Sequence, residues 1–211
     1  LITNSTHIMT VTEKRRIDPE RAASRRKQVL EAAAACFRRS GFHGASMSEI
    51  SKAAGMSAGH IYNYFDSKDA IIIAFVEEDM ERVSTMISSL DTQADPLQAL
   101  IDEVPLRVRE NLDPNHWMLP LEIFAESSRN PRIAAVAQDA DRRARVEFRA
   151  ILRKGREAHG LPADDKDIDG RMETIISMFQ GLQLRALHNP ELDVDTLILH
   201  FQAACRTLLY S

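Results

Sequence analysis

"GMSAGHIYNYFDSKDAI" runs from Gly55 to Ile71 and places His60, Tyr62, Asn63 and Tyr64 within five residues, with Lys68 close behind. Aromatic side chains at this density usually enter a core. Here they alternate with polar groups and follow a glycine, so the stretch either supports a core or presents a surface. The residues before it favour a surface. Ser46-Met47-Ser48-Glu49 has the spacing of a capping box, in which the serine hydroxyl and the glutamate each cover a free N–H. A short helix to Ala54 follows, then a turn at Gly55, then a second short helix from Ser57 to about Tyr64. Two short helices on a glycine turn make a helix-turn-helix. Ile50, Met56 and Ile61 are apolar where the two must pack, Ser51 is small where they cross, and Gly55 takes a positive φ at little cost.

The outward positions of the second short helix carry the chemistry. Such a helix offers its N-terminal end to base edges in the major groove. Small Ala58 and Gly59 allow close approach, and Ala58 suits a thymine methyl. His60 and Asn63 are the candidates for hydrogen bonds to bases. Tyr62 and Tyr64 are candidates to donate to phosphate oxygens, which fixes register without reading sequence. Lys68 is expected as a phosphate clamp, and the helix ends at Ser46 and Ser57 as further anion contacts. Phe65 is expected in the core. A half-buried structural role for both tyrosines is the alternative.

Outward from this stretch, glycines and prolines cut the chain into helix-length pieces, and strand signals are nearly absent. The periodicity predicts about nine helices: 19–40, 46–54, 57–64, 67–90, 96–112, 114–130, 131–160, 167–187 and 193–209. Asp18, Ser46, Asp66 or Ser67, Asp95, Asp113, Asp167 or Asp169, and Asp193 or Asp195 are the expected caps. The fold class is all-α. A basic arm (1–18) precedes a three-helix DNA-binding domain (19–66) and a larger helical domain (67–211). Residues before Met9 are set aside from the fold reading.

Of 211 residues, 44% are hydrophobic and 27% charged, enough for a sizeable core. The net charge of −4 hides an asymmetry: residues 1–69 hold 11 Lys and Arg against 7 Asp and Glu, and the remainder holds 16 against 24. A basic end on an acidic body suggests that this end meets a polyanion; a solvated surface is the plainer alternative. Lys14, Arg15 and Arg16 head a basic tract suited to phosphate or the minor groove. No secretory signal is expected, and no apolar run reaches the ~18 residues of a membrane helix. Cys36 and Cys205 lie far apart in apolar surroundings and read as buried thiols, so the expected compartment is the cytoplasm. Scattered histidines, no nucleophile–base pattern and no phosphate loop argue against metal, cofactor or catalytic chemistry.

"GASMSEISKAAGMSAGHIYNYFDSKDAI" resembles the DNA-binding signature of TetR-family transcriptional regulators, in Ala54-Gly55-Met56-Ser57, Gly59, Tyr62-Asn63-Tyr64-Phe65 and Ser67-Lys68-Asp69. "IFAESSRNPRIAAVAQ", Ile123 to Gln138, more weakly resembles the C-terminal domains of the BetI-like branch. Ala58 stands where many relatives carry a longer polar side chain, which shifts readout onto His60 and Asn63. The resemblance implies a dimeric repressor that binds palindromic operator DNA and is released by a small effector. Met86, Trp117, Phe124, Phe148, Met172 and Phe179 are the candidates to line a largely apolar effector cavity, with Trp117 leading. Ile175, Met178, Leu182, Ile198, Phe201, Cys205 and Leu208 give the last two helices apolar faces suited to a two-fold interface. The long fourth helix joins both domains as a lever. The competing reading is a helical enzyme or small-molecule binding protein whose helix-turn-helix is only structural; retention on a DNA column at low salt separates the two.

Overall fold

The computed structural model describes residues 19–211, so the basic arm expected at 1–18 lies outside the described residues. Among these the chain forms nine helices and no strand: α1 (Pro19–Gly44), α2 (Met47–Ala53), α3 (Ala58–Ile61), α4 (Lys68–Asp91), α5 (Pro96–Leu112), α6 (Pro114–Ser127), α7 (Pro131–Ala158), α8 (Asp165–His188) and α9 (Val194–Tyr210). Short polar side chains begin most of them. Ser46, Ser57, Ser67, Asp95, Asp113, Asn130, Asp164 and Asp193 each accept an N–H of the first turn. Three boundaries differ from expectation. α1 runs on to Gly44, through a break at Gly41 where φ is +69°. α3 is one turn long, followed by turns to Tyr64. α8 is capped by Asp164 rather than Asp167 or Asp169.

The apolar interior falls into two main bodies. The N-terminal one joins α1, α2, α3 and the start of α4 around Phe37, Phe42 and Phe75, with Ile50, Ile61 and Phe65 buried beside them. The second lies between α5, α8 and α9 and includes Leu97, Ile101, Val104, Ile168 and Met172. α4 bridges them: Ile72 and Phe75 serve the first body, while Met80 meets Ala140 of α7 and Leu90 meets Ile151 of α7. α5 and α7 cross so closely that a Cβ on Gly155 would lie 2.6 Å from the Leu97 side chain.

Two polar devices hold the second body together. Arg156 is fully buried and donates to the carbonyls of Pro162 (2.7 Å), Leu209 (2.7 Å) and Ser211 (2.9 Å), so a buried charge is answered on every side. Along the outside, α7 and α8 run antiparallel and are joined by a three-rung ladder: Arg145 with Glu173, Arg149 with Asp169, and Arg153 with Asp165. Both cysteines are free and buried, and burial pushes the Cys205 thiol up to about 11.

Candidate nucleic-acid interface and effector cavity

The helix-turn-helix is built as its spacing requires. Ser46 accepts the Glu49 N–H (3.1 Å), and Glu49 accepts the Ser46 N–H (2.8 Å). Ile50 and Ile61 are fully buried, Ser51 is buried between the helices, and Gly55 takes φ +62° in the turn. The capping box also corrects the anion contact expected at Ser46. Its N–H is already used, and the Glu49 carboxylate stands where a phosphate would come. The Ser46 N–H holds that carboxyl below the usual carboxylate range. Ser57 accepts the His60 N–H on its hydroxyl oxygen (3.3 Å), which leaves its O–H able to donate.

The opening question has a divided answer. Tyr62 is 50% exposed and free to donate outward. Tyr64 packs against the N-terminal core, and its hydroxyl lies 3.3 Å from His60 Nε2 with the two rings edge-on. Asn63 Nδ2 lies 3.2 Å from His60 Nδ1. An amide nitrogen only donates, so Nδ1 accepts, and in a neutral ring Nε2–H then donates to Tyr64. The polar groups left over are Asn63 Oδ1, the second Asn63 Nδ2–H and the Tyr64 hydroxyl proton, with exposed Ala58 and Gly59 beside them.

Lys68 is also engaged within the chain. Its ammonium donates to the carbonyls of Phe42 (2.6 Å) and Ala45 (2.7 Å) and lies 4.5 Å from the Phe42 ring centroid. It closes the C-terminal end of α1 instead of standing free for phosphate. The same end is held from α6. Glu122 accepts the Phe42 N–H (2.9 Å), and buried Glu126 pairs with His43 (3.0 Å). Asn130, beyond α6, donates to Asp69 of α4 (2.9 Å). This clasp joins residues 61 to 83 positions apart, so no local pattern announces it.

The other end of α6 reaches a cavity of about 340 Å³ enclosed by α4, α5, α6, α7, α8 and α9. His116 and Pro120 of α6 line it. Pro120 lacks an N–H, so α6 is missing one internal hydrogen bond beside the cavity. Met86, Phe148 and Phe179 line the cavity as expected. Trp117, Phe124 and Met172 do not. Trp117 is 8% exposed and packed away from the cavity, Phe124 is 49% exposed on the outer side of α6, and Met172 is fully inside the α5–α8–α9 core. The cavity also has a polar share that hydrophobic patterning missed, centred on Arg107, Glu103, Glu110, Asn111 and Gln183. Arg107 and Glu110 sit one helical turn apart on α5, as do Glu103 and Arg107. That was the available signal. Among the described residues no group of three or more His, Cys, Asp or Glu is placed to hold a metal ion.

The face expected to pair two chains is used within one. Ile175, Leu182, Ile198 and Cys205 are buried in the chain's own core; Met178, Phe201 and Leu208 are half-buried, and Phe201 stacks edge-on against Phe179 at 5.3 Å. What α8 and α9 leave outside is the adjacent arc. On α8 this is Gly170, Thr174, Ser177 and Leu184, with half-buried Gly181 beside open space; on α9 it is Leu199, 67% exposed, and Ala203.

Two family descriptions match this chain: that of the tetR family of bacterial regulatory proteins over residues 29–75, and that of the BetI-type transcriptional repressor C-terminal domain over residues 93–210. The chain belongs to the tetR family. It is similar to the HTH-type transcriptional regulator UidR of Escherichia coli K12, 32% identical over 114 residues, 54% of this chain and 57% of that protein. The match therefore spans little more than half of UidR's own length. It is also similar to the HTH-type transcriptional repressor AcnR of Corynebacterium jeikeium, 24% identical over 160 residues, 76% of this chain and 80% of that one. Among solved structures, Salmonella enterica GusR superposes with a TM-score of 0.72 at 27% identity, over 88% of this chain and 95% of that one. No described helix is long and apolar enough to cross a membrane.

Proposed function

We propose that this tetR-family chain is a cytoplasmic, ligand-responsive transcriptional repressor that binds a palindromic operator as a homodimer. One observation carries the reading: α6 touches the cavity at His116 and Pro120 and grips the helix-turn-helix domain at Phe42 and His43 through Glu122 and Glu126. A molecule that fits one position of α6 better than another changes the setting of the DNA-binding domain by its differential affinity. α4, the lever expected from sequence, shares the task through Asp69–Asn130. The UidR, AcnR and GusR likenesses support the regulatory role.

In this reading the DNA-binding unit ends near residue 66, Ala58, Gly59 and the His60–Asn63–Tyr64 cluster face base edges, and Tyr62 donates to phosphate. The second copy packs on the outer arc of α8 and α9. A Cβ at Gly170 or Gly181 would meet nothing within the chain, yet a mid-helix glycine costs about 1 kcal/mol against alanine. Close approach of a partner helix explains keeping both. Two-fold symmetry then sets the recognition helices roughly 34 Å apart, one turn of DNA.

The test is selection of bound duplexes from a random pool at low salt, followed by mobility shift. An enriched inverted repeat, bound less tightly by Tyr62→Phe by a similar factor for every half-site variant, is the expected result. No enrichment at any salt concentration sinks the proposal.

A further inference from the structure

The charges of the cavity wall balance overall, with Glu103, Glu110 and Asp141 against Arg82, Arg107 and Arg145, but they are unevenly placed. Every guanidinium that faces it is already answered. Arg107 donates to Glu110 (2.7 Å) and Glu103 (2.9 Å), Arg145 pairs with Glu173 and lies 3.2 Å from Asp141, and Arg82 pairs with Asp79. His116 has Asp113 at 3.0 Å. The imbalance is local: the α5 cluster sets two carboxylates, Glu103 and Glu110, against the single guanidinium of Arg107. Gln183 Oε1 is buried without a partner, while its Nε2 is spent on Asn111 (2.8 Å). Arg107 Nε is a buried donor without a partner. Opposite these groups the surface is apolar, with Met86, Phe148, Ile176 and Phe179.

Resting on the repressor reading, which treats this cavity as the effector site, we propose that its ligand is an amphipathic cation: an apolar ring or chain carrying an ammonium group. The ammonium supplies the positive charge that Glu103 and Glu110 share one short, and gives Gln183 Oε1 its missing donor. An oxygen near the ammonium would answer Arg107 Nε. The aromatic faces of Phe148 and Phe179 favour the same charge, and burial of the ring against the apolar wall supplies most of the affinity. An anion of equal size placed at the α5 cluster meets the Glu103 and Glu110 carboxylates, and both forks of Arg107 are already occupied there. A small cation without an apolar body leaves most of the 340 Å³ unfilled.

The experiment is displacement of the neutral fluorophore N-phenyl-1-naphthylamine from the full chain by matched naphthalenes. 1-Naphthylmethylammonium is expected to displace it at a concentration at least tenfold lower than 1-naphthoate, with 1-naphthalenemethanol between. Tetramethylammonium, which lacks the ring, is expected to need at least a hundredfold more. In the double variant Glu103→Gln, Glu110→Gln the gap between ammonium and carboxylate should close to within threefold. Retained fluorophore binding shows that the variant's cavity is intact; should the pair disturb folding, Glu103→Gln alone should still narrow the gap. Equal or tighter binding of the carboxylate, a gap that persists in the variants, or no fluorophore uptake by the wild type overturns the proposal. Loss of the repressor reading has its own signature, absence of operator binding in the mobility shift, and leaves the order of displacement measurable.

Discussion

Replacing Glu122 by alanine removes one atom pair that ties the two bodies: the carboxylate of α6 that accepts the Phe42 N–H at 2.9 Å. A hydrogen bond to a charged group contributes about 1.5–3 kcal/mol, and the partly buried N–H left behind has no substitute nearby. Phe42 itself is buried, and the adjacent Gly41 sits in the left-handed region, so this end of α1 does not re-form as regular helix to recover the bond. The cost falls on local opening of the α1 end and α2 rather than on global unfolding, because α5, α8 and α9 keep all their contacts. At 1.4 kcal/mol per factor of ten, amide exchange over residues 42–54 should accelerate roughly 10- to 150-fold. Peptides of α8 and α9 should be unchanged. Glu122→Gln keeps an oxygen acceptor but loses the charge, so its effect should be about half as large in free energy, roughly 3- to 12-fold in rate. Hydrogen exchange read by mass spectrometry resolves these segments. Unaltered exchange at 42–54, or an equal acceleration throughout the molecule, would refute the clasp.

Other expectations follow from the same geometry. Lys68→Ala should lower the thermal midpoint as well as operator affinity, since two carbonyls of the α1 end lose their donor; weakened DNA binding at unchanged stability would return Lys68 to a phosphate role. Gly181→Leu should convert a dimer of twice 23.8 kDa into monomers by light scattering without unfolding them, because the side chain enters open space on the isolated chain; a mass of two chains in the variant rules out this face. Acid should loosen the α2 cap. The Ser46 N–H depresses the Glu49 carboxyl, so its contribution is present above the ordinary carboxylate range and is lost as pH falls through the depressed value. Glu49→Gln should therefore flatten the fall of the thermal midpoint below about pH 5, and an unchanged slope counts against the cap.

What the sequence displayed and what it hid divide along the range of the interactions. Caps are local: Ser46, Asp95 and Asp113 sit within three residues of the N–H groups they accept, and all three were expected. Asp164 was missed because a run of acidic residues offers several equivalent caps, and packing of Ile168 and Met172 decides among them. Periodicity shows that a helix has an apolar face, not what that face meets. Met172 and Phe148 have the same pattern, yet one lies in the core and the other lines the cavity. The carbonyl partners of Lys68 are 26 and 23 residues away, beyond the reach of a local pattern. For the proposed dimer face, the helical glycines Gly170 and Gly181, each beside open space, are the local signal in the sequence.

The α7–α8 ladder has a mechanical consequence. Its rungs recur every four residues on both helices, at 145, 149 and 153 against 173, 169 and 165. Each is partly exposed and contributes no more than about 1 kcal/mol. A slide of half a turn nevertheless breaks all three together, while a slide of one full turn, about 5.4 Å, re-forms two of them with exchanged partners. The pair of helices behaves like a detent with discrete rest positions, stiff against small displacements and tolerant only of whole steps. One wall of the cavity is therefore a fixed jaw. Differences of an ångström or two between occupants must be taken up by the opposite jaw, where α6 with its missing hydrogen bond at Pro120 is the compliant part.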